Sequence, residues 1–293
     1  MVSSWKDLSE DQRRQKFVAS YSNKSYPAGK THGAVKLARD LSKKSNKNEY
    51  NHYKVLMEGF PIIEMAIKYN IKLEYLFICP EDTYSEEILS MLPKLISIAD
   101  TTLDVSPKVF DLITKKGNSN GLAAIGNIEE KNLENLNLDS DLVIILDGLE
   151  TPGNIGSIIR SADAVDAKAI IFTNRQAHLY HPLMIRSSRG ACFKLPLVES
   201  NVSTVQSFLL KNNYEIVLAE PSADKYYYQQ NYDKPTALVM GSERFGISKE
   251  WFNKDYKAVS IPMLGDCDSL NVSIATTVLL YEIRLQKNSE LIR

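Results

Sequence analysis

Apolar positions in residues 51–128 change their spacing several times, which predicts helices that alternate with strands. The predicted elements are a helix over 54–68, a strand over 74–79, a helix over 86–92, a strand over 95–99, a helix that begins after Ser106 and an edge strand over 121–128. Ser106 followed by Pro107 matches the residue preferences of a helix start. The alternation predicts a small α/β/α domain. The polar residues 129–140 are interpreted as a linker after it.

Residues 141–293 contain apolar runs in which neighbouring positions are apolar, instead of alternating with polar ones. Continuous apolar runs are typical of parallel strands that are covered on both faces. The predicted strands are 142–146, 167–173, 193–198, 214–220, 236–241 and 257–263. Helices fit between them, so we expect an α/β domain with a parallel sheet and crossover helices.

Length and composition indicate an ordinary globular protein with two domains, since the 293 residues are 44% hydrophobic and 24% charged. The first residues lack the apolar run of a signal peptide, and no segment approaches the ~20 apolar residues of a membrane span. We therefore expect a cytoplasmic protein. Cys79, Cys192 and Cys267 show no CxxC spacing and are expected to be reduced, buried thiols. The four His residues show no metal-ligand spacing.

Positive charge is concentrated at the start of the chain, although the formal net charge is −1. Residues 1–49 contain eleven Lys or Arg against five Asp or Glu, a local net charge of +6. Tyr21, Tyr26 and Tyr50 lie among these cations. Residues 1–50 therefore form either a basic arm that binds nucleic-acid phosphates and stacks bases, or a solvated leader without a partner.

Residues 146–164, LDGLETPGNIGSIIRSADA, follow a predicted strand and begin a helix. Gly153 and Gly156 permit tight backbone geometry, and Asn154 can cap free amides. Arg160 follows Gly156 by four residues, which directs it toward the strand ends where α/β proteins bind ligands. The alternative is an ordinary strand-to-helix turn with a surface arginine. A dinucleotide-binding fold is not indicated, because the GxGxxG pattern is absent.

Two further polar loops follow predicted strands. In residues 239–248, VMGSERFGIS, the strand ends at its glycine and Glu243 lies in the loop. In residues 259–273 a short strand leads through a polar loop to Ser269 and Asn271, before an apolar helix. Taken singly, Glu243 is interpreted as a turn carboxylate in water, and Ser269 and Asn271 as helix caps.

Together the three motifs, N-x-G-x-x-x-R, G-S-E-x-x-G-x-S and I-P-M-x-G-x-x-x-S-L-N-V-S, resemble in order and spacing those of the SpoU (TrmH-like) family of SPOUT methyltransferases. The resemblance covers about residues 142–285. Residues 53–79, YKVLMEGFPIIEMAIKYNIKLEYLFIC, also resemble the small substrate-binding domain of members that act on ribosomal RNA.

The resemblance implies an α/β fold in which a parallel C-terminal sheet, in residues 141–293, carries the trefoil knot of SPOUT methyltransferases. A smaller α/β/α substrate-binding domain would occupy residues 51–128. The implied cofactor is S-adenosylmethionine, and the implied reaction is methyl transfer to a ribose 2′-hydroxyl of RNA, with ribosomal RNA as the expected substrate. The resemblance further implies a homodimer. No membrane and no metal is expected as a partner, because the sequence shows neither a membrane span nor metal-ligand spacing.

The resemblance also implies roles for individual residues. Arg160 matches the catalytic arginine of the family, and because a guanidinium stays protonated we expect it to bind a phosphate or stabilise the developing alkoxide. The residues implied to orient Arg160 and the ribose are Asn154, Glu243, Ser269 and Asn271. Those implied to bind the cofactor are Gly241, Ile261, Met263 and Leu270, with Leu218 as a further wall. Those implied to contact RNA are Arg186 and Arg189, although Gly190 after them also fits a helix C-terminus.

Two other functions remain open on the sequence. A transfer-RNA 2′-O-methyltransferase would have the same motifs and differ in its substrate. A catalytically silent RNA-binding protein of the same fold would bind RNA and transfer nothing. The intact Arg160, Glu243 and Asn271 favour an enzyme.

Overall fold

Residues 5–47, 52–115, 120–136, 138, 141–254 and 256–288 are described by a computed structural model. Parts of the predicted basic arm (1–4 and 48–50, which includes Tyr50) and of the predicted linker (137, 139 and 140) lie outside the described residues. Two units divide the chain: unit 1 combines Met1–Glu129 with Tyr180–Phe193, and unit 2 combines Glu130–Leu179 with Lys194–Arg293. No helix in the described ranges combines the length and the apolar character that a membrane span requires.

Helices and strands follow one another throughout the described chain. Up to residue 129 the elements are α1 (Glu10–Tyr21), β1 (Tyr26–Pro27), α2 (Gly33–Leu41), β2 (Asn46–Lys47), β3 (His52–Glu58), α3 (Phe60–Lys68), β4 (Lys72–Ile78), α4 (Glu86–Ile98), β5 (Thr101–Asp104), α5 (Pro107–Ile113) and β6 (Leu122–Glu129). Beyond residue 129 they are β7 (Leu142–Asp147), α6 (Pro152–Ala164), β8 (Ala169–Thr173), α7 (Pro182–Ser187), β9 (Leu197–Glu199), α8 (Val202–Lys211), β10 (Glu215–Ala219), β11 (Thr236–Gly241), β12 (Lys257–Val259) and α9 (Val272–Lys287).

Unit 1 is built on a mixed sheet in the order β1-β5-β4-β6-β3-β2. Strands β1, β5 and β4 are parallel, whereas β6 runs antiparallel to both of its neighbours, β4 and β3. Helices α2 and α5 bury their apolar residues in one core cluster together with Leu56, Phe77 and Ile125 of the sheet. The early helix α2 is therefore part of the packed structure of unit 1.

Three element predictions for unit 1 are wrong. Residues 54–58 belong to strand β3, because they pair with β6 and the helical spacing begins only after Gly59. The predicted strand 95–99 is wrong, because residues 95–98 continue helix α4 and Ala99 is its C-cap; Ile88, Leu92, Leu95 and Ile96 are buried at helical spacing, and Pro93 lies on the exposed side. Strand β6 lies in the sheet interior, although an edge position was predicted.

Unit 2 contains a six-stranded sheet in the order β12-β10-β11-β7-β8-β9, and every pairing in it is parallel. The predicted parallel α/β architecture is confirmed. The chain leaves β7 toward β8 on one side and leaves β11 toward β12 on the other side, although β7 and β11 are neighbours. The loops after these two strands therefore separate at the carboxyl edge of the sheet, where α/β proteins commonly bind ligands. Helices α6 and α9 pack against each other and are joined by a hydrogen bond of 2.7 Å between the Ser161 and Thr277 hydroxyls.

Two predicted strands of unit 2 are shorter than expected by three or four residues. Residues 191–193 form a 3-10 turn and β9 begins only at Leu197, because Pro196 has no amide hydrogen for a sheet ladder. Strand β12 ends at Val259 instead of extending to residue 263, and Pro262 lies in the loop beyond it. Both departures occur at the ends of the sheet order, where a strand has one neighbour at most.

The three cysteines are free thiols, but they do not share one environment. Cys79 and Cys192 are buried, as predicted, and burial raises the pKa of the Cys192 thiol to about 12. Cys267 is exposed in the loop after β12, so its prediction as a buried packing residue is wrong. A polar loop sequence around it, GDCDS, offers no apolar neighbours with which to bury the thiol.

Candidate functional site

The three polar motifs meet at the carboxyl edge of the unit 2 sheet. They follow β7, β11 and β12, which are parallel strands of one sheet, so their carboxyl ends point in the same direction. A cavity of about 320 Å³ opens there. Its walls come from the ends of β10, β11 and β12, from the loop before α9 and from the first two turns of α9.

Four of the five residues predicted to hold a cofactor line this cavity: Gly241, Ile261, Met263 and Leu270. The fifth, Leu218, does not reach it, because its side chain is buried in the core of the sheet. The wall at that strand end is formed instead by Ala219, Glu220 and Pro221. Leu218 lies one residue before the end of β10, and its side chain points into the core. The apolar run in the sequence does not show which of its residues face the core and which reach the strand end.

A hydrogen-bond network joins the three motifs beside the cavity. Asn154 donates through Nδ2 to Oε1 of Glu243 over 2.5 Å, across 89 positions of sequence. Asn271 donates through Nδ2 to Oδ1 of Asn154 over 3.4 Å. Asn271 also caps α9, since its Oδ1 accepts from the Ser273 amide at 2.9 Å. Glu243 and Asn271 therefore hold the Asn154 amide between them.

The structure changes the local interpretation of two of these residues. Asn154 is not a helix cap: the N-cap position of α6 belongs to Thr151, and Asn154 lies in the first turn with its amide turned to the other motifs. Ser269 is not a cap either, because Asn271 occupies that position. Ser269 is instead an exposed hydroxyl in the wall of the cavity.

Arg160 lies in α6, one turn beyond the buried Gly156, and its side chain is exposed. Within the described part of the chain, its guanidinium has neither a hydrogen bond nor an ion pair. The packing of α6 on α9 fixes the helix that carries it. Arg160 is thus an exposed cation on a helix held by packing, and no described hydrogen bond joins it to the cavity or to the network.

Asp147 is a site residue that sequence reasoning missed. This buried carboxylate ends β7 and accepts hydrogen bonds from the Thr173 hydroxyl at 2.8 Å, the Asn174 amide at 2.9 Å and the Ser248 backbone amide at 2.7 Å. It ties the ends of β7 and β8 to the loop after β11. The signal in the sequence was an acidic residue closing a fully apolar run, LVIILD.

The loop after β11 requires its glycines. A Cβ on Gly241 would overlap the backbone of Gly246 and Ile247. Gly246 has φ +67° and closes the turn through two backbone hydrogen bonds of 3.0 Å with Ser242. This tight turn carries Glu243 back toward Asn154. The G-S-E-x-x-G pattern therefore has a geometric cause as well as a chemical one.

The two arginines predicted to contact RNA lie in unit 1 and differ in their surroundings. Arg186 donates through Nη1 to Oε1 of the buried Glu58 over 2.6 Å. Arg189 has φ +52° at the end of α7, and its side chain is exposed. Among the described residues, Arg189 has no side-chain partner. The RNA contacts of both residues stay predictions.

Fold and site together define a class: an α/β protein with a parallel sheet, a ligand-sized cavity at the ends of β10, β11 and β12, and a polar network from three motifs beside it. The model of the SpoU rRNA Methylase family matches residues 141–281. A solved structure described as an RNA 2′-O ribose methyltransferase is 30% identical, with a TM-score of 0.74 over 89% of this chain and 99% of that one. The chain belongs to the SpoU methylase family.

Two further comparisons concern Streptomyces viridochromogenes. A 23S rRNA (uridine(2479)-2′-O)-methyltransferase from that organism is 32% identical over 61% of this chain and 66% of its own length. The structure of the SpoU methyltransferase AviRb, in complex with the cofactor AdoMet, has a TM-score of 0.78 and 26% identity over 88% of this chain and 99% of that chain. Five of the curated relatives are matched over 57–66% of their own length.

Proposed function

We propose that the protein transfers a methyl group from S-adenosylmethionine to a ribose 2′-hydroxyl in RNA, with ribosomal RNA as substrate. The observation that carries the proposal is the joining of Asn154, Glu243 and Asn271, one from each motif, beside a cavity of ligand size. Family membership and the printed activities of the relatives support the same reaction.

The cavity residues fit this cofactor. A volume of about 320 Å³ lies within the range of small-molecule pockets, and the lining is mostly apolar with a few polar groups. The backbones of Gly241, Ile261 and Leu270 would bind its polar edges, and Met263 would contact its apolar parts. The carboxylates of Glu220 and Asp268 also line the cavity and suit a ligand that carries positive charge.

S-adenosylmethionine supplies, when bound, an electrophilic methyl group. The chain must then hold the ribose oxygen in line with that group, and such positioning accounts for much of the rate. Arg160 provides a fixed positive charge for the neighbouring phosphate or for the oxygen as its negative charge develops. Because the guanidinium stays protonated, it acts by electrostatics and hydrogen bonding instead of removing the proton.

The network keeps the polar side chains of the site in fixed directions. The Glu243 carboxylate accepts from the Asn154 nitrogen, and the Asn271 amide donates to the Asn154 oxygen, so neither side of the Asn154 amide is free to rotate. Ser269 leaves its hydroxyl at the cavity wall, where a ribose hydroxyl can bind. We propose that these four residues orient the ribose and Arg160.

The Arg160→Ala variant tests the catalytic part of the proposal. Removing the charge should lower methyl transfer to ribosomal RNA by about 10²-fold to 10³-fold, since a single oxyanion donor has an effect of that size. Cofactor affinity, measured by titration calorimetry, should change little, because Arg160 does not line the cavity. Lys211→Ala, an exposed cation of α8, is the matched control and should retain activity. Full activity of Arg160→Ala would contradict the assignment.

The RNA class is tested with the same assay on separated RNA pools. Radiolabelled S-adenosylmethionine is incubated with the protein and either ribosomal RNA or transfer RNA, each taken from cells that lack the gene. Label in ribosomal RNA supports the proposal, whereas label in transfer RNA alone assigns the other substrate. RNA binding without any label would identify a silent RNA-binding protein.

We also propose the finer fold that the family resemblance implies, a trefoil knot formed by the segment after β12. The chain leaves β12 at one edge of the sheet and continues in α9, which contacts α6 and β11 in the sheet interior. That return path supports a threaded connection. Unit 1, with its mixed α/β architecture, is proposed as the substrate-binding domain.

A homodimer is the proposed assembly. Helix α9 has the apolar residues Ile274 and Tyr281 at 54% and 47% exposure, and Leu264 in the loop before it is 99% exposed. Apolar residues grouped on one helix face indicate a protein interface, and the family resemblance makes a second copy the partner. With ribosomal RNA as substrate, the proposed place of action is the cytoplasm.

A further inference from the structure

The positive charge of the early chain divides into two sets with different surroundings. In residues 5–21 three cations have described partners within unit 1: Arg14 binds Glu81 and Asp104, Arg13 lies over the Tyr84 ring, and Lys16 lies over the Trp5 ring. Residues 22–47 contain seven Lys or Arg against one Asp, a net charge of +6. The positive excess of the early chain therefore comes from residues 22–47.

The cations of this second set are turned to solvent. Six of them are exposed and have no hydrogen bond or ion pair within the described ranges: Lys24, Lys30, Lys36, Arg39, Lys43 and Lys44. We name these six residues the basic surface. Helix α2 buries Ala34, Val35, Ala38 and Leu41 in the core, which directs its cations outward. Lys36 and Arg39 are three residues apart and lie on the same side of the helix.

The segment that carries the basic surface runs from one edge of the unit 1 sheet to the other. Strand β1 lies at one edge of the sheet and β2 at the other, and α2 connects them. Six strands at ~4.8 Å spacing give a width of about 24 Å. Tyr26, in β1, is 62% exposed and lies close to Lys24 in the sequence. Unpaired cations spread along a segment that runs between the two edges, with an exposed aromatic ring near its start, suit a chain of phosphates with an unstacked base.

A membrane surface fits these residues less well. An interfacial helix needs an exposed apolar face to enter the lipid, and α2 has buried its apolar residues in the core. Among residues 22–47, all of which are described, Tyr26 is the one large hydrophobic side chain that is exposed.

We propose that residues 22–47 bind the phosphate backbone of the substrate RNA through the basic surface. This inference rests on the proposed function in one respect, that the substrate is RNA. The contacts are electrostatic, so they strengthen RNA binding without selecting the nucleotide that is methylated. Removing these cations weakens RNA binding and leaves the cofactor cavity intact, since that cavity is lined by unit 2 residues.

The test compares two variants of the full chain that lose the same charge. The first replaces five residues of the basic surface with Gln: Lys24, Lys36, Arg39, Lys43 and Lys44. The control replaces five exposed lysines elsewhere with Gln: Lys94, Lys211, Lys234, Lys249 and Lys254. The probe is a fluorescently labelled 23S rRNA transcript, titrated with protein over a range of salt concentrations.

Weaker binding by the basic-surface variant, by about tenfold or more at low salt, supports the inference. Its plot of log Kd against log salt should also be shallower, by roughly 0.7 for each phosphate that the variant no longer neutralises. The control variant should resemble the unmodified chain in both respects. Calorimetric titration with S-adenosylmethionine should give the same affinity for all three proteins, which shows that unit 2 is intact. Equal circular-dichroism spectra and equal urea-unfolding midpoints show that unit 1, which carries the basic surface, is folded as well.

Equal RNA affinity and equal salt dependence in both variants would overturn the inference, even if methyl transfer is normal. The inference would also be overturned, in favour of a membrane contact, if the basic-surface variant lost binding to vesicles that contain anionic phospholipid and kept the RNA affinity of the unmodified chain. Failure of the proposed function is recognised separately, because the unmodified chain would then transfer no methyl group to any RNA pool.

Discussion

At the scale of single residues, Asp147 connects the sheet to the site. Its carboxylate is buried at the end of β7 and accepts from Thr173, Asn174 and the Ser248 amide. The Ser248 amide belongs to the loop that also carries Glu243, so Asp147 supports the network around Asn154 without touching the cavity. Hydrogen bonds to a buried charge contribute more to stability than neutral ones.

The Asp147→Asn variant should lower the free energy of unfolding by about 2 kcal/mol. The carboxylate now accepts from three donors, and the side-chain nitrogen of Asn cannot accept, so at least one donor would lose its partner. Urea unfolding of both proteins measures the difference. Asp163→Asn is the matched control, since Asp163 forms a partly exposed ion pair with Lys194 and its loss should change the stability by less than about 1 kcal/mol. Equal stability of Asp147→Asn and the unmodified chain would show that the three donors find other partners.

At the scale of elements, one arginine makes the polar contacts that join α1 to the end of β5 and the loop after β4 in unit 1. Arg14 donates to Glu81 at 2.5 Å, to Asp104 at 3.2 Å and to the Val105 carbonyl at 2.9 Å. Both carboxylates are buried, and Phe17 of α1 is buried as well. The helix has a capping box at Ser9, but little of its surface is apolar, so these polar contacts matter for its position.

The Arg14→Met variant should lower the free energy of unfolding by about 2 kcal/mol, because two buried carboxylates lose their partner. Trypsin should also cut more rapidly after Arg13 and Lys16. Arg39→Met, an exposed arginine of α2 without a described partner, is the control and should behave like the unmodified chain. Adding Glu81→Gln and Asp104→Asn to Arg14→Met should restore part of the stability; a further loss would contradict the explanation.

Element predictions succeeded where the apolar pattern is long and failed where a segment depends on its neighbours. The runs of β7, β10 and β11 were located from sequence because a doubly covered parallel strand is apolar throughout. Residues 54–58 and 95–99 were assigned the wrong type, since short apolar runs fit a helix or a strand equally well. Pairing with β6 decided the first, and continued helical burial decided the second.

At the scale of the whole molecule, the proposed homodimer is the property to measure. Light scattering after size exclusion should give twice the chain mass of 33.0 kDa. Ile274→Glu combined with Tyr281→Glu should give a monomer, because charges would replace the exposed apolar residues of α9. Leu210→Glu, at a position of α8 with 45% exposure, is the control and should remain dimeric. A monomer for the unmodified chain at every concentration would contradict the dimer.

Sequence reasoning located the parallel architecture and the three motifs, because both are local: apolar runs mark buried strands, and polar loops with glycines mark their ends. It also selected six of the residues that line the cavity. Only the tertiary structure brought Asn154, Glu243 and Asn271 together, buried Asp147 among its donors and separated Leu218 from the cavity. It likewise distinguished three cations of residues 5–21, which have described partners within unit 1, from the exposed cations of residues 22–47. These outcomes depend on contacts between distant positions, such as the 89 residues from Asn154 to Glu243, and such contacts leave no periodic signal in one chain.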